Sequence, residues 1–260
     1  MRIRGIVGLA AALLALAFAA SAAQAKPTCD GKTATIVGSE GNDHLFGTKR
    51  PDVIYAGGGD DSIKAEGGND TICAGEGDDF VSGGSGSDRI FGEGGVDNID
   101  GDRGNEFISG GPGNDFLEEN YGDGTVLGGA GNDALIGYIG IDTLKGGPGD
   151  DSLAGGIGFD TLLGGGGNDT IEPEKGHDMV DGGPGSDTAS YAKEPAAVVV
   201  DLAAHRSLVS AGQDSLISIE NLRGSPFDDK LLGDSGANVL EGGPGNDKLV
   251  GRGGKDTLVQ

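Results

Sequence analysis

A nine-residue period constrains this chain more than any other feature. It begins at Gly38 and runs to Ser190 without an insertion or deletion, 17 repeats in one frame. Four further repeats run in a shifted frame from Gly224 to Val259. Gly110-Gly111-Pro112-Gly113-Asn114-Asp115-Phe116-Leu117-Glu118 shows the pattern, G-G-x-G-x-D-x-U-x with U aliphatic. Self-similarity at a fixed period marks a solenoid, in which each unit buries its apolar face only by stacking on the next. The period also overrides composition. A chain with 55 Gly, 42 acidic against 18 basic side chains and 5% aromatics would otherwise bury too little apolar surface to offset the entropy of ordering.

Each repeat position has a physical task. The glycines permit a tight turn in which backbone carbonyls converge. The Asp at position six adds a hard, charged oxygen of the kind that calcium takes, six to eight at a time. The last three residues are extended, and only the middle one faces inward because strand faces alternate. Those inward residues run from Leu45, Ile54 and Ile63 at nine-residue steps to Val180 and Ala189. They are expected to form the whole core, one too thin to hold the fold by apolar burial alone. Asp and Gly also favour turns for local reasons. Turn preference, however, does not require an Asp at the same position of repeat after repeat. Columns of carboxylates about 4.8 Å apart would repel without a cation between them.

With this pattern the sequence resembles the RTX, or haemolysin-type, calcium-binding repeat family. The resemblance implies an all-β fold, a right-handed parallel β-roll with two nonapeptides per turn, in which Ca2+ ions lie between stacked loops. Carried over by position, the metal ligands are Asp43, Asp52, Asp61, Asp70, Asp79, Asp88, Asp97, Asp115, Asp133, Asp142, Asp151, Asp160, Asp169, Asp178 and Asp187, then Asp229, Asp247 and Asp256. Glu106, Gly124 and Asn238 depart from the pattern. Alternate repeats stack, so the loops form two columns. The column from Asp43 to Asp187 has no gap, whereas the one from Asp52 to Asp178 is broken at Glu106 and Gly124. Asp pairs along the columns imply about a dozen ions in the first block.

The remaining segments frame the repeats. Arg2 and Arg4, the apolar run Ile6 to Ala20 and the small-residue site Ala23-Gln24-Ala25 read as a cleavable signal peptide over 1–25. The run is short for a membrane span, so the mature chain is expected to be secreted, extracellular and without a membrane span. Loss of Arg2 and Arg4 would carry the formal charge from −24 to −26, a field that repels nucleic acid. Residues 26–37 read as an N-terminal cap, 38–190 as the first roll block, 191–223 as a strand–loop–strand insertion, and 224–260 as the second block. The insertion's strands are expected at Ala197 to Leu202 and Leu216 to Leu222. In an exported chain the pair Cys29 and Cys73 reads as one disulfide, with free thiols as the alternative.

Tyr121, Tyr138, Ile139, Ile141, Ile157 and Phe159 break the small-residue pattern of the second column and are expected to stack into an apolar patch on one loop edge. Such a patch marks an interaction site or merely residues packing on one another. No H-E-x-x-H or G-x-S-x-G motif occurs, and Asp60-Asp61 and Asp78-Asp79 hold loop positions. The chain therefore reads as a non-enzymatic, structural or adhesive calcium-binding protein. The alternatives are a calcium-dependent module for a cell-surface polysaccharide or protein, and a polysaccharide-acting enzyme. Aromatic and basic residues at the outward strand positions, such as His44, Tyr55, Arg89, Phe91 and Phe107, look scattered.

Overall fold

The computed structural model describes residues 26–209 and 212–260. The signal-peptide assignment over 1–25 lies outside the described residues. Among the described residues the regular elements are strands, apart from one 3-10 turn at Leu202–Ala204. Repeats alternate between two parallel sheets. One, of 14 strands, runs from Ile36–Val37 through Val53–Gly58 and Thr71–Glu76 to Lys248–Val250. The other, of 12 strands, runs from His44–Phe46 through Ser62–Lys64 to Thr257–Val259. Register is the repeat doubled: Ile54 pairs with Ile72 and Ile72 with Ile90, while Leu135 pairs with Leu153 on the opposite sheet. The chain is a parallel β-solenoid with two nonapeptides per turn.

The core is the stack of position-eight side chains, fully buried from Ile54 to Ala189, with Leu45 half-buried at the N-terminal end. It is wider than position eight alone. Ala56, Ala65 and Ala74 at position one are also fully buried, because that position turns inward at the sheet edge. Beyond the first block the core continues through Tyr191, Val198, Val200, Leu202, Leu216, Ile219 and Leu222 to Leu231 and Leu240. At the other end a two-strand antiparallel turn, Thr28–Cys29 with Lys32–Thr33, covers the first coils. Cys29 is disulfide-bonded to Cys73 across a Cα–Cα distance of 5.7 Å.

The insertion differs from the expected strand–loop–strand. Leu216 to Leu222 is two strands, Ser215–Ile217 and Asn221–Arg223, and they belong to opposite sheets. The backbone turns between them at Ser218, whose φ is 50°. A further, unforeseen strand, Arg206–Leu208, lies antiparallel between Val199–Asp201 and Ser215–Ile217. It bridges the strand that continues the first block (Met179–Asp181 to Ser215–Ile217) and the strand that starts the second (Val199–Asp201 to Lys230–Leu232). The polar sequence of Arg206–Leu208 carries little strand signal. Its pairing comes from both flanking edges, which would otherwise leave backbone groups unpaired.

Candidate metal centres

Both sheet edges are built from the G-G-x-G-x-D turns. Gly95 and Gly111 have φ of 138° and 121°. A Cβ at Gly95 would collide with the Gly77 carbonyl oxygen one turn below, so the close stacking of the loops needs glycine there. The turn then folds its Asp back under the following strand. Position-six acids from Asp61 to Asp187 are all buried, none more than 3% exposed.

The two oxygens of each such Asp have different fates. Oδ1 accepts the backbone N–H of the position-six residue one turn earlier. Asp97 donates to Asp115, Asp115 to Asp133 and Asp133 to Asp151, at 2.8–2.9 Å. The other column repeats this, with Asp52 to Asp70, Asp70 to Asp88 and Asp142 to Asp160. Among the described residues, Oδ2 has no hydrogen-bond partner in Asp61, Asp70, Asp79, Asp88, Asp97, Asp115, Asp133, Asp142, Asp151, Asp160, Asp169, Asp178, Asp187 or Asp247. Where position one of the loop is glycine, as for Asp88, Asp97, Asp115, Asp133, Asp142 and Asp151, this oxygen is aimed at that glycine. A Cβ at Gly110 would collide with Asp115 Oδ2 and lie 2.7 Å from the Gly128 carbonyl oxygen; Gly146 stands in the same relation to Asp151 and Gly164.

Electrostatics agree with an unmet demand for positive charge. Burial, against the opposing backbone hydrogen bond, pushes the Asp88, Asp97, Asp142 and Asp178 carboxyls up to about 7. It pushes Asp79, Asp151 and Asp187 up to about 6, with neighbouring Asp charges adding to the effect. A buried, half-satisfied carboxylate stays ionised only beside a cation. Among the described residues no three His, Cys, Asp or Glu side chains cluster as a metal site by themselves. The donor set is thus one or two carboxylates with converging carbonyls: all oxygen, hard and anionic, which fits calcium.

Other predicted ligands sit differently. Asp43 Oδ2 accepts both the N–H and the hydroxyl of Ser39, and Asp52 Oδ2 accepts the same pair from Thr48. Asp229 takes bonds from the Ser225 N–H and hydroxyl and from the Val198 N–H. These acids begin their runs with Ser or Thr at position two, and protein donors satisfy them. Asp247 Oδ1 accepts from Asp229, and Asp256 Oδ1 from Asn238. Asn238 keeps the rung with neutral groups, accepting from the Asp234 N–H and donating to the Glu220 carbonyl.

Three acids have ladder places that the repeat frame does not mark. Asp214 accepts the Asp178 N–H, 36 residues away, together with the Ser207 and Tyr191 hydroxyls. Glu220 accepts the Asp187 N–H. Glu119 stands at position one of its repeat and is fully buried. The nonapeptide offers no signal for the first two, because their loops lie in the insertion. Glu119 was visible as an acid where every neighbour in the frame is small.

The apolar residues of the second edge do gather. Tyr121 pairs with Ile139 and Ile139 with Ile157 in successive turns. They are exposed, as are Tyr138, Ile141 and Phe159. Ile141, Ile157 and Phe159 line a groove of about 410 Å³ with Lys175. Tyr138 donates to Glu118 at 2.8 Å from a left-handed backbone, φ 68°. On the outer sheet face the apparently scattered Arg89, Phe91 and Phe107 also meet, the guanidinium lying 4.6 Å from the Phe107 ring centre.

Fold and edges together define an acidic parallel β-solenoid whose loops present buried carboxylates to hard cations. The chain belongs to the family described as RTX calcium-binding nonapeptide repeat (4 copies), which matches residues 34–49, 46–81, 74–105, 82–117, 127–162, 154–189 and 223–258. The repeats are thus Ca2+-binding repeats in a calcium-binding structural protein. No curated protein matches the chain.

Proposed function

We propose that this chain is a secreted, extracellular structural or adhesive protein whose folding is driven by Ca2+ held between its stacked loops. The observation that carries this reading is the row of position-six carboxylates with one oxygen bonded along the ladder and the other without a partner. Asp61, Asp79, Asp97, Asp115, Asp133, Asp151, Asp169 and Asp187 would hold ions along one edge. Asp70, Asp88, Asp142, Asp160 and Asp178 would do so along the other, and Asp247 in the second block. About ten ions per chain follow from pairs of such loops, on the scale of the dozen that the sequence implies. Bound calcium supplies the positive charge and the oxygen-seeking coordination that these groups lack. The residues do the rest: the Oδ1 bonds set the height of each turn, and the glycines bring carbonyls to the same space as Oδ2. The domain plan is a cap over 26–37, roll blocks over 38–190 and 224–260, and a continuation between them. Export would use the leader over 1–25.

A non-catalytic role is supported by how the paired acids are used. Asp60 Oδ1 accepts the Asp78 N–H, and Asp78 Oδ1 the Val96 N–H, so these acids brace adjacent loops. The exposed row Tyr121, Ile139 and Ile157, beside Ile141 and Phe159, favours a second reading, a calcium-dependent binding module for a surface polysaccharide or protein. Circular dichroism of the chain in EGTA and then in excess calcium tests the main reading. Strand signal is expected to appear with calcium; the same spectrum in both conditions would sink it.

A further inference from the structure

The second edge loses its Asp at Gly124, yet the rung survives. The Gly124 N–H still donates to Asp142 Oδ1 at 2.9 Å, as a position-six Asp would. The missing carboxylate comes from the other end of the same loop. Position one, elsewhere small, is Glu119, and its side chain fills the volume that an Asp at 124 would occupy. A Cβ at Gly124 would collide with Glu119 Cγ and lie 2.7 Å from both Cδ and Oε1. Position one has gained the acid and position six has lost it, so the loop carries the same charge in the same space.

One turn below, position six is Glu106 in place of Asp. Glu106 is 2% exposed and Glu119 0%. None of their four carboxylate oxygens has a hydrogen-bond partner among the described residues. The two carboxyls lie within hydrogen-bonding reach of each other, and neither brings a donor when ionised. Burial raises the pKa of both, helped by the charge of Asp142 on Glu119 and of Asp88 on Glu106. A backbone acceptor is also close, since a Cβ at Gly101 would lie 3.1 Å from both Glu106 Cγ and the Glu119 carbonyl oxygen. One shared proton would neutralise half of the pair and engage two of the four oxygens, leaving the other two without a side-chain donor. A divalent cation bonds oxygens of both carboxylates and the carbonyl at once.

We propose that Glu106 and Glu119 together hold one Ca2+ in a site of their own, which joins the Asp runs below and above it into a continuous ladder. The proposal rests on the calcium reading of the loops. It departs from that reading in its ligands, which are two glutamates, one of them from position one.

Equilibrium dialysis of the full chain against calcium, with elemental analysis and circular dichroism, tests it. Glu106→Gln with Glu119→Gln is expected to bind about one ion fewer than the unsubstituted chain while gaining strand signal in calcium. An unchanged ion count in that variant would overturn the site and leave a proton-sharing pair. If that variant fails to fold, the exchange variant Glu119→Gly with Gly124→Asp decides. It restores the repeat pattern and is expected to keep the ion count; a gain of an ion would show that the glutamates held none. No calcium on the unsubstituted chain would instead defeat the general reading.

Discussion

At the scale of the residue, the position-six Asp is a two-handed group. Oδ1 is spent on a backbone N–H one turn away, and Oδ2 is left to a ligand. Asp115→Asn keeps an acceptor for Asp97 but removes the charge. It should lose binding at its loop and lower stability in calcium by about 1–3 kcal/mol, the cost of a buried polar group without its charged partner. Ser39→Ala makes the contrast. It removes one of the two donors to Asp43 Oδ2 and should cost about 1 kcal/mol with no change in the number of ions bound. Calcium titration followed by thermal melts separates the two. The Asp frame was legible in the sequence from its spacing, and the family resemblance implied which of those acids stack. Satisfaction of Asp43, Asp52 and Asp229 by hydroxyls was not, although Ser39, Thr48 and Ser225 stand where most repeats have glycine or an acid.

At the scale of the element, the insertion seals the joint between the two blocks. Arg206–Leu208 lies antiparallel in a sheet that is otherwise parallel, and Ser207, fully buried, donates to Asp214 at 2.6 Å. Tyr191 donates to the same oxygen, so this rung of the ladder is closed by hydroxyls. Ser207→Ala should destabilise the chain by about 1–3 kcal/mol through a buried carboxylate oxygen left with a single donor. Hydrogen exchange should show the loss first in Val199–Asp201 and Lys230–Leu232, the strands that depend on this joint. Full protection there would count against the sealing role. Aliphatic runs revealed two segments of the insertion as extended. The strand at 206–208 had no such signal, since its stability is supplied by the edges on either side.

At the scale of the whole molecule, charge couples the fold to pH. The chain carries −24, and burial raises carboxyls such as Asp79 to about 6 and Asp88 to about 7. Between roughly pH 4 and 7 the folded, calcium-free chain therefore binds more protons than the unfolded chain, whose Asp titrates near 3.9. Stability without calcium should thus be greatest below about pH 4 and fall as pH rises through about 7. Calcium acts in the opposite sense, because protons compete for Oδ2, so its affinity should weaken as pH falls through the same window. Melting curves in EGTA and in calcium at pH 4.5, 6 and 7.5 (roughly the span of these pKa values) should show the two trends crossing. Parallel trends would contradict the assignment of these carboxylates.

The sequence by itself determined the solenoid, the doubled register, the position-eight core and the Asp columns. The solenoid, the core positions and the acid frame follow from a period that repeats every nine residues, and the doubling to 18 from the family resemblance that the period carries. Only the tertiary structure decided which carboxylate oxygens find protein donors and which are left over. Partners such as Asp178 and Asp214 or Asp187 and Glu220 are set by how the insertion folds back, 36 and 33 residues away in the chain. It also decided that the gap at Gly124 is filled. A side chain from position one and a vacancy at position six occupy one space only once the loop has closed.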